Sequence, residues 1–316
     1  MSNSNVFNFL GIDSVEDDNL LLKKIHLKRF KSNLPNYVVE FCKTKYMETN
    51  DIRFFNELLW LIGKDFNYLK EAVQKFESNY ENLKYQCSLY EGMICSDSFM
   101  TNPVIDKSVL KSTSVALIGN PIHFIIPFYY FLINGKKVDV INVQYHPNKT
   151  LNKFLSSTLV NYLFKMIFMN SYKEVLINNK SDLKSFKLPK KYDVGFHKLS
   201  FIIRENVISS FNKGLINDHW GELPFLKGRS TLLYSKLFGI EPIITNHLID
   251  KDIDSGKIIC YTSLKNKNKK LNIFFGLYKR IYKSILLLSS NIFKEIDNKQ
   301  GVIFYEMHPW IINKLQ

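Results

Sequence analysis

The stretch SVALIGNPIHFIIPFYYFLINGKKVDVINV (114–143) decides the fold. It opens with a short apolar run, Ser114–Ile118, which ends in Gly119, Asn120 and Pro121. An apolar segment then continues to Ile133, and Asn134-Gly135 interrupts it before a second apolar run over Val138–Val143. Gly, Pro and Asn-Gly are turn punctuation, so the order reads strand, turn, helix, turn, strand. That order opens a doubly wound α/β domain with a mainly parallel sheet.

Moving outward, Glu174–Ile177 and Tyr192–Phe196 read as third and fourth strands, with a helix at about 204–211. Gly214–Asn217, Ile243–Leu248 and Ile258–Tyr261 read as a fifth, sixth and seventh strand. A helix over about 271–296 closes the domain, and Gly301–Leu315 is expected to pack back as a strand or loop. Residues 17–95 read as helical, with Ser14 and Asp17 as a capping box. From Phe55 to Cys87 the apolar residues Leu59, Ile62, Phe66, Leu69, Val73, Phe76, Tyr80 and Leu83 form a heptad stripe on one long helix. Such a stripe packs on its own unit or on a partner subunit, so the N-terminal helices are a candidate surface for a homo-oligomer. The expected division is a helical region over 1–105 and a catalytic domain over 106–316.

At 316 residues and 46% hydrophobic, the chain is long enough for two cored domains. The formal charge of +14 favours anionic partners. No compact Arg-rich block marks a nucleic-acid surface, and nucleic acid is not expected as a partner. The only polar tract of note is Lys265–Lys270. The cysteines, Cys42, Cys87, Cys95 and Cys260, form no CxxC and have no His at zinc spacing, so they read as reduced structural thiols. The N-terminus lacks a basic region followed by an apolar one, and the apolar run 121–133 is too short to span a bilayer. These features predict a cytoplasmic protein without a membrane span. Gly119-Asn-Pro is not GxGxxG, and the chain has no Walker sequence.

Chemistry concentrates in GLINDHWGELPFLKG (214–228) and ITNHLIDKDIDSG (244–256). An apolar strand ends in Asn217 and places His219 two residues on, so both side chains share one face at the strand's carboxyl end. Leu223-Pro224 and Gly228 turn the chain. The next strand carries His247 and leads to a loop with Asp254. Asn, His and Asp brought together at a ligand edge suit oxyanion binding and proton transfer.

These residues resemble the signature of the folate-dependent formyltransferase family, which includes methionyl-tRNA, glycinamide ribonucleotide and sugar N-formyltransferases. The family pattern is N-x-H-x-S-x-L-P, three residues and Gly, then H-x-x-x-x-x-x-D-x-G. Asn217, His219, Leu223, Pro224, Gly228, His247, Asp254 and Gly256 fall at its offsets, and GIEPIITNH (239–247) looks like the family's intervening stretch. The likeness covers about 113–261. Gly221 departs from Ser, Trp220 from a common Pro, and Asp218 and Asn246 stand where apolar residues are frequent.

The resemblance implies a Rossmann-like core and transfer of formyl from N10-formyltetrahydrofolate, as co-substrate, to a primary amine, without a metal. Asn217 and His219 would hold the oxyanion. Asp254 would orient His219, favour its protonated form and relay the amine proton. The pterin would lie against Phe196, His197, Lys198 and Leu199 on one side and Ile249, Asp250 and Ile253 on the other. Trp220, Gly221 and His247 would face the acceptor. A nucleotide-linked amino sugar is the expected acceptor. A tRNA acceptor is disfavoured because only 62 residues (255–316) follow Asp254 and read as one helix and a tail. A phosphoribosyl acceptor is disfavoured because Gly119-Asn-Pro-Ile-His replaces the family's Gly-Ser-Asn loop. A non-catalytic folate-binding or scaffold homologue is the reading from another class.

Overall fold

The computed structural model describes residues 3–12, 17–30, 34–63, 67–88, 108–144, 158–177, 182, 186–199, 201–264, 270–292 and 302–315. The chain divides into two compact units. One comprises Met1–Ile94, Phe225–Pro242 and Gly301–Gln316; the other comprises Cys95–Pro224 and Ile243–Gln300. A single boundary at 105/106, which itself lies outside the described residues, therefore does not describe the organisation. Two later segments belong with the N-terminal helices.

The first unit holds α1 (Asn3–Leu10), α2 (Asp18–Arg29), α3 (Asn36–Thr49), α4 (Ile52–Ile62) and α5 (Lys70–Ser88). The cap of α2 is Asp17, whose carboxylate accepts from the Asn19 N–H at 2.8 Å; Ser14 lies outside the described residues. The heptad stripe does not run on one helix. Gly63, at φ 70°, closes α4 by returning its N–H to the Leu59 carbonyl, and α5 starts afresh at Lys70. Leu59, Leu69 and Phe76 are nevertheless buried within the unit, with Phe55 stacked on Phe76 at 4.9 Å. The side chains of Phe66, Tyr80, Leu83 and Cys87 lie outside the described residues.

The segment 225–242 joins this core because α10 (Thr231–Phe238) buries Tyr234, Leu237 and Phe238 against the same cluster as Leu58 and Phe55. β6 (Leu226–Gly228) pairs in parallel with β9 (Val302–Phe304), which brings the tail in as well. Gly228 has a local reason: a Cβ there would stand 2.2 Å from the Phe304 carbonyl oxygen. The tail ends in a short helix, α12 (Pro309–Lys314), and not in the strand or loop expected there. Buried Asn56 pins it, donating to the Glu306 carbonyl at 3.1 Å and accepting from the His308 N–H at 2.7 Å.

The second unit carries β1 (Val115–Gly119), β2 (Asp139–Gln144), β3 (Tyr172–Leu176), β4 (Tyr192–Lys198), β5 (Phe211–His219), β7 (Ile243–Leu248) and β8 (Ile258–Ser263). They form one sheet in the order β3-β2-β1-β4-β5-β7-β8. The pairs from β3 through β5 are parallel, while β7 and β8 add in antiparallel sense. The run 121–133 is a 3₁₀ turn, Pro121–Phe124, followed by α7 (Ile125–Ile133). Helices α6 (Val109–Ser112), α8 (Thr158–Phe168), α9 (Glu205–Ile208) and α11 (Lys270–Ser289) complete the unit. α9 is shorter than the helix read at 204–211 because Phe211 already starts β5.

Alternate residues of each strand enter separate layers. Leu117, Val140, Val194, Phe196 and Ile216 pack with Phe128, Phe168, Ile281 and Ile285 from α7, α8 and α11. Ala116, Ile118, Ile141 and Leu215 pack on the other face with Phe186, Val207 and Phe211. The strand order reverses between β1 and β4, which puts the topological switch point of the sheet at the carboxyl ends of these two strands, with β5 beside them.

Candidate active site

Asn217 and His219 close β5 at that edge, and the strand is long enough to keep both on one face. Asn217 lies in register with His197 on parallel β4 and with His247 on antiparallel β7. One transverse row of the sheet therefore reads His197, Asn217, His247. The Nδ1 of His247 lies 2.7 Å from the Leu248 carbonyl, which can only accept, so Nδ1 carries a proton. Its Nε2 lone pair then accepts from the Asn217 amide at 3.2 Å, which fixes the amide's orientation.

Asp254 reaches this row from the loop after β7. Its Oδ2 lies 3.3 Å from His219 Nδ1, and its Oδ1 lies 3.5 Å from His247 Nε2. The three residues singled out by the sequence thus meet, with Nδ1 of His219 directed to Asp254. The loop is held tightly enough to aim the carboxylate. The Leu248 N–H donates to the Lys257 carbonyl at 2.9 Å, the Ile249 N–H donates to Leu215 at 2.8 Å, and Asp254 itself sits at φ 49°. A Cβ on Gly256 would lie 2.0 Å from the Leu248 backbone oxygen, so the loop can fold back on β7 only with glycine there. Gly256→Ala is expected to destabilise the protein by about 1–3 kcal/mol and to lower activity by displacing Asp254. A thermal melt and a turnover assay check this; a melting temperature and rate like those of the parent would mean that the loop relaxes without moving the carboxylate.

The next transverse row faces the opposite side. Asp218 is fully buried and accepts from Lys198 Nζ at 2.8 Å, Asn246 Nδ2 at 3.2 Å and Arg280 of α11 at 3.2–3.3 Å. Burial alone would raise its pKa. Lys198 and Arg280 outweigh that and hold it at about 2. The acidic residue after Asn217 and the Asn before His247, unusual for the resemblance, are thus partners of one another and of Arg280. The spacing of the chain gave no sign of Arg280, which lies 62 residues from Asp218.

Of the residues expected at the acceptor, Trp220 is part-exposed with Lys198 Nζ 5.6 Å from its ring centroid. Gly221 is buried, and its carbonyl accepts from Thr245 Oγ1 at 2.6 Å. The same Thr245 oxygen accepts from the Leu223 N–H at 3.2 Å, and Tyr261 donates to the Leu223 carbonyl at 2.7 Å; these bonds hold the loop after His219. His247 is buried, and its contacts are with Asn217, Leu248 and Asp254, so it supports the trio from behind. Of the residues expected at the co-substrate, Phe196 points into the core, Lys198 is committed to Asp218, and Leu199 and Ile249 pack partly buried. Asp250 and Ile253 are exposed on the loop before Asp254, and His197 is buried beside Asn217.

No protein-family model matches the chain, and no curated protein matches it. Among solved structures it is similar to a sugar N-formyltransferase from Shewanella, at 13% identity over 60% of this chain and 76% of that one, with a TM-score of 0.41. It is also similar to a methionyl-tRNA formyltransferase from Clostridium thermocellum, at 17% identity over 63% and 74%, with a TM-score of 0.38. A 4-N formyltransferase from Francisella tularensis is similar at 21% identity over 61% and 76%, with a TM-score of 0.39. At these values the likeness assigns no activity, and the functional reading rests on the residues.

Proposed function

We propose that this chain is an N-formyltransferase that moves a formyl group from N10-formyltetrahydrofolate to a primary amine. The observation that carries the reading is the meeting of Asn217, His219 and Asp254 at the carboxyl edge of the sheet, with Asp254 on His219 Nδ1. The amine lone pair attacks the formyl carbon, and charge develops on the formyl oxygen. Donors from Asn217 and His219 stabilise that oxygen. The amine gives up a proton to the Asp254 carboxylate, the bond from carbon to N10 breaks, and N10 takes a proton to give tetrahydrofolate.

A nucleotide-linked amino sugar is the proposed acceptor. Trp220 supports this reading, because its part-exposed ring offers an aromatic face on which a base can stack. The test is incubation of the purified protein with N10-formyltetrahydrofolate and a panel of nucleotide-linked amino sugars, following tetrahydrofolate release and the mass of the formylated product. Release that depends on one amino sugar is the expected result. Binding of folinic acid without turnover on any amine would favour a folate-binding homologue instead.

A further inference from the structure

Every polar side chain of the two transverse rows described above has its partners, with one exception. His197 is 6% exposed, and its Nδ1 accepts a hydrogen bond from the Leu199 N–H at 3.3 Å. An imidazole that accepts at Nδ1 carries its proton on Nε2. That Nε2–H is buried and has no hydrogen-bond partner among the described residues. It lies in register with Asn217 and on the same face, on the side of Asn217 away from His247. A buried donor left unmet is unfavourable, and native interiors rarely retain one without a role.

We infer that His197 is a third hydrogen-bond donor of the site, whose Nε2–H is met by an acceptor atom of the bound formyl-folate. This rests on the formyl-transfer reading and deepens it, because it says which atom of His197 makes the contact. The donor is permanently neutral. Burial, and after it the charges of Lys198 and His247, press the His197 pKa down to about 3, below any pH at which the enzyme would work. His197 therefore neither shuttles protons nor offers a charge; it offers one directional N–H, next to the amide that faces the developing oxyanion.

The experiment is calorimetric titration of the full chain with folinic acid at several pH values between about 6 and 9, with a thermal melt of each ligand-free variant. His197→Phe keeps an aromatic ring and removes the donor. It should weaken folinic acid binding about tenfold or more, equally at every pH, while the ligand-free melting temperature stays level or rises because an unmet polar group has gone. His197→Asn, which retains an N–H donor, should bind within a few-fold of the parent. His197→Leu carries the same expectation as Phe should the larger ring not fit. Parent-like binding by both donor-free variants overturns the inference and leaves the transferase reading standing. Failure of the parent itself to bind folinic acid overturns both.

Discussion

Asp254→Asn and His219→Ala are each expected to slow formyl transfer by about 100-fold or more, while folinic acid binding stays within a few-fold of the parent. The two losses have different causes. His219→Ala deletes an oxyanion donor. Asp254→Asn keeps the shape of the side chain 3.3 Å from His219 Nδ1 but removes its charge. It also removes the carboxylate that would accept the amine proton. Because the two residues act as one unit, the double variant should be little slower than the slower single variant. Tetrahydrofolate release under saturating co-substrate measures all three. Additive losses would mean that Asp254 and His219 act separately, and parent-like turnover in either single variant would remove the trio from the mechanism.

The sequence made this trio legible because each member sits where local pattern is informative. Asn217 and His219 end an apolar strand, and Asp254 lies in a loop whose length is set by a histidine before it and a glycine after it. The strands are legible for the same reason: β1, β2 and β7 are short apolar runs bounded by turn residues, and β7 spans Ile243–Leu248. What escaped is long-range. Nothing near Leu226 or Val302 announces that these segments pair with each other and pack on helices some 200 residues away in the chain. A heptad stripe continues formally through Gly63, but the positive φ there ends the helix, and it is the tertiary core that buries Leu59, Leu69 and Phe76. His247 was expected to face the acceptor because its position in the motif says nothing about what its ring touches. It is instead the residue that fixes the Asn217 amide.

The largest effect on stability is expected at Asp218. Its carboxylate is fully buried between Lys198 and Arg280, and Arg280 is itself almost completely buried. Asp218→Asn removes a negative charge that lies against both cations. Lys198, still part-exposed, can turn its ammonium toward water, but Arg280 cannot. Breaking such a pair from one side costs about 3–5 kcal/mol, because the buried guanidinium loses the carboxylate that accompanied it out of water. Replacing both Asp218 and Arg280 with Leu should recover much of that loss, since well-packed apolar residues often substitute for a buried pair without penalty. The sign of the pH dependence follows from the depressed pKa. Asp218 titrates near 3.9 in the unfolded chain and at about 2 when folded, so its contribution is complete above pH 4 and is lost as pH falls from about 4 toward 2. Urea unfolding across that range should show the parent losing stability on acidification more steeply than the Leu–Leu variant does. If Asp218→Asn proves as stable as the parent at neutral pH, the network is not what holds β5 against α11, and the alignment of Asn217 and His219 must come from the sheet alone.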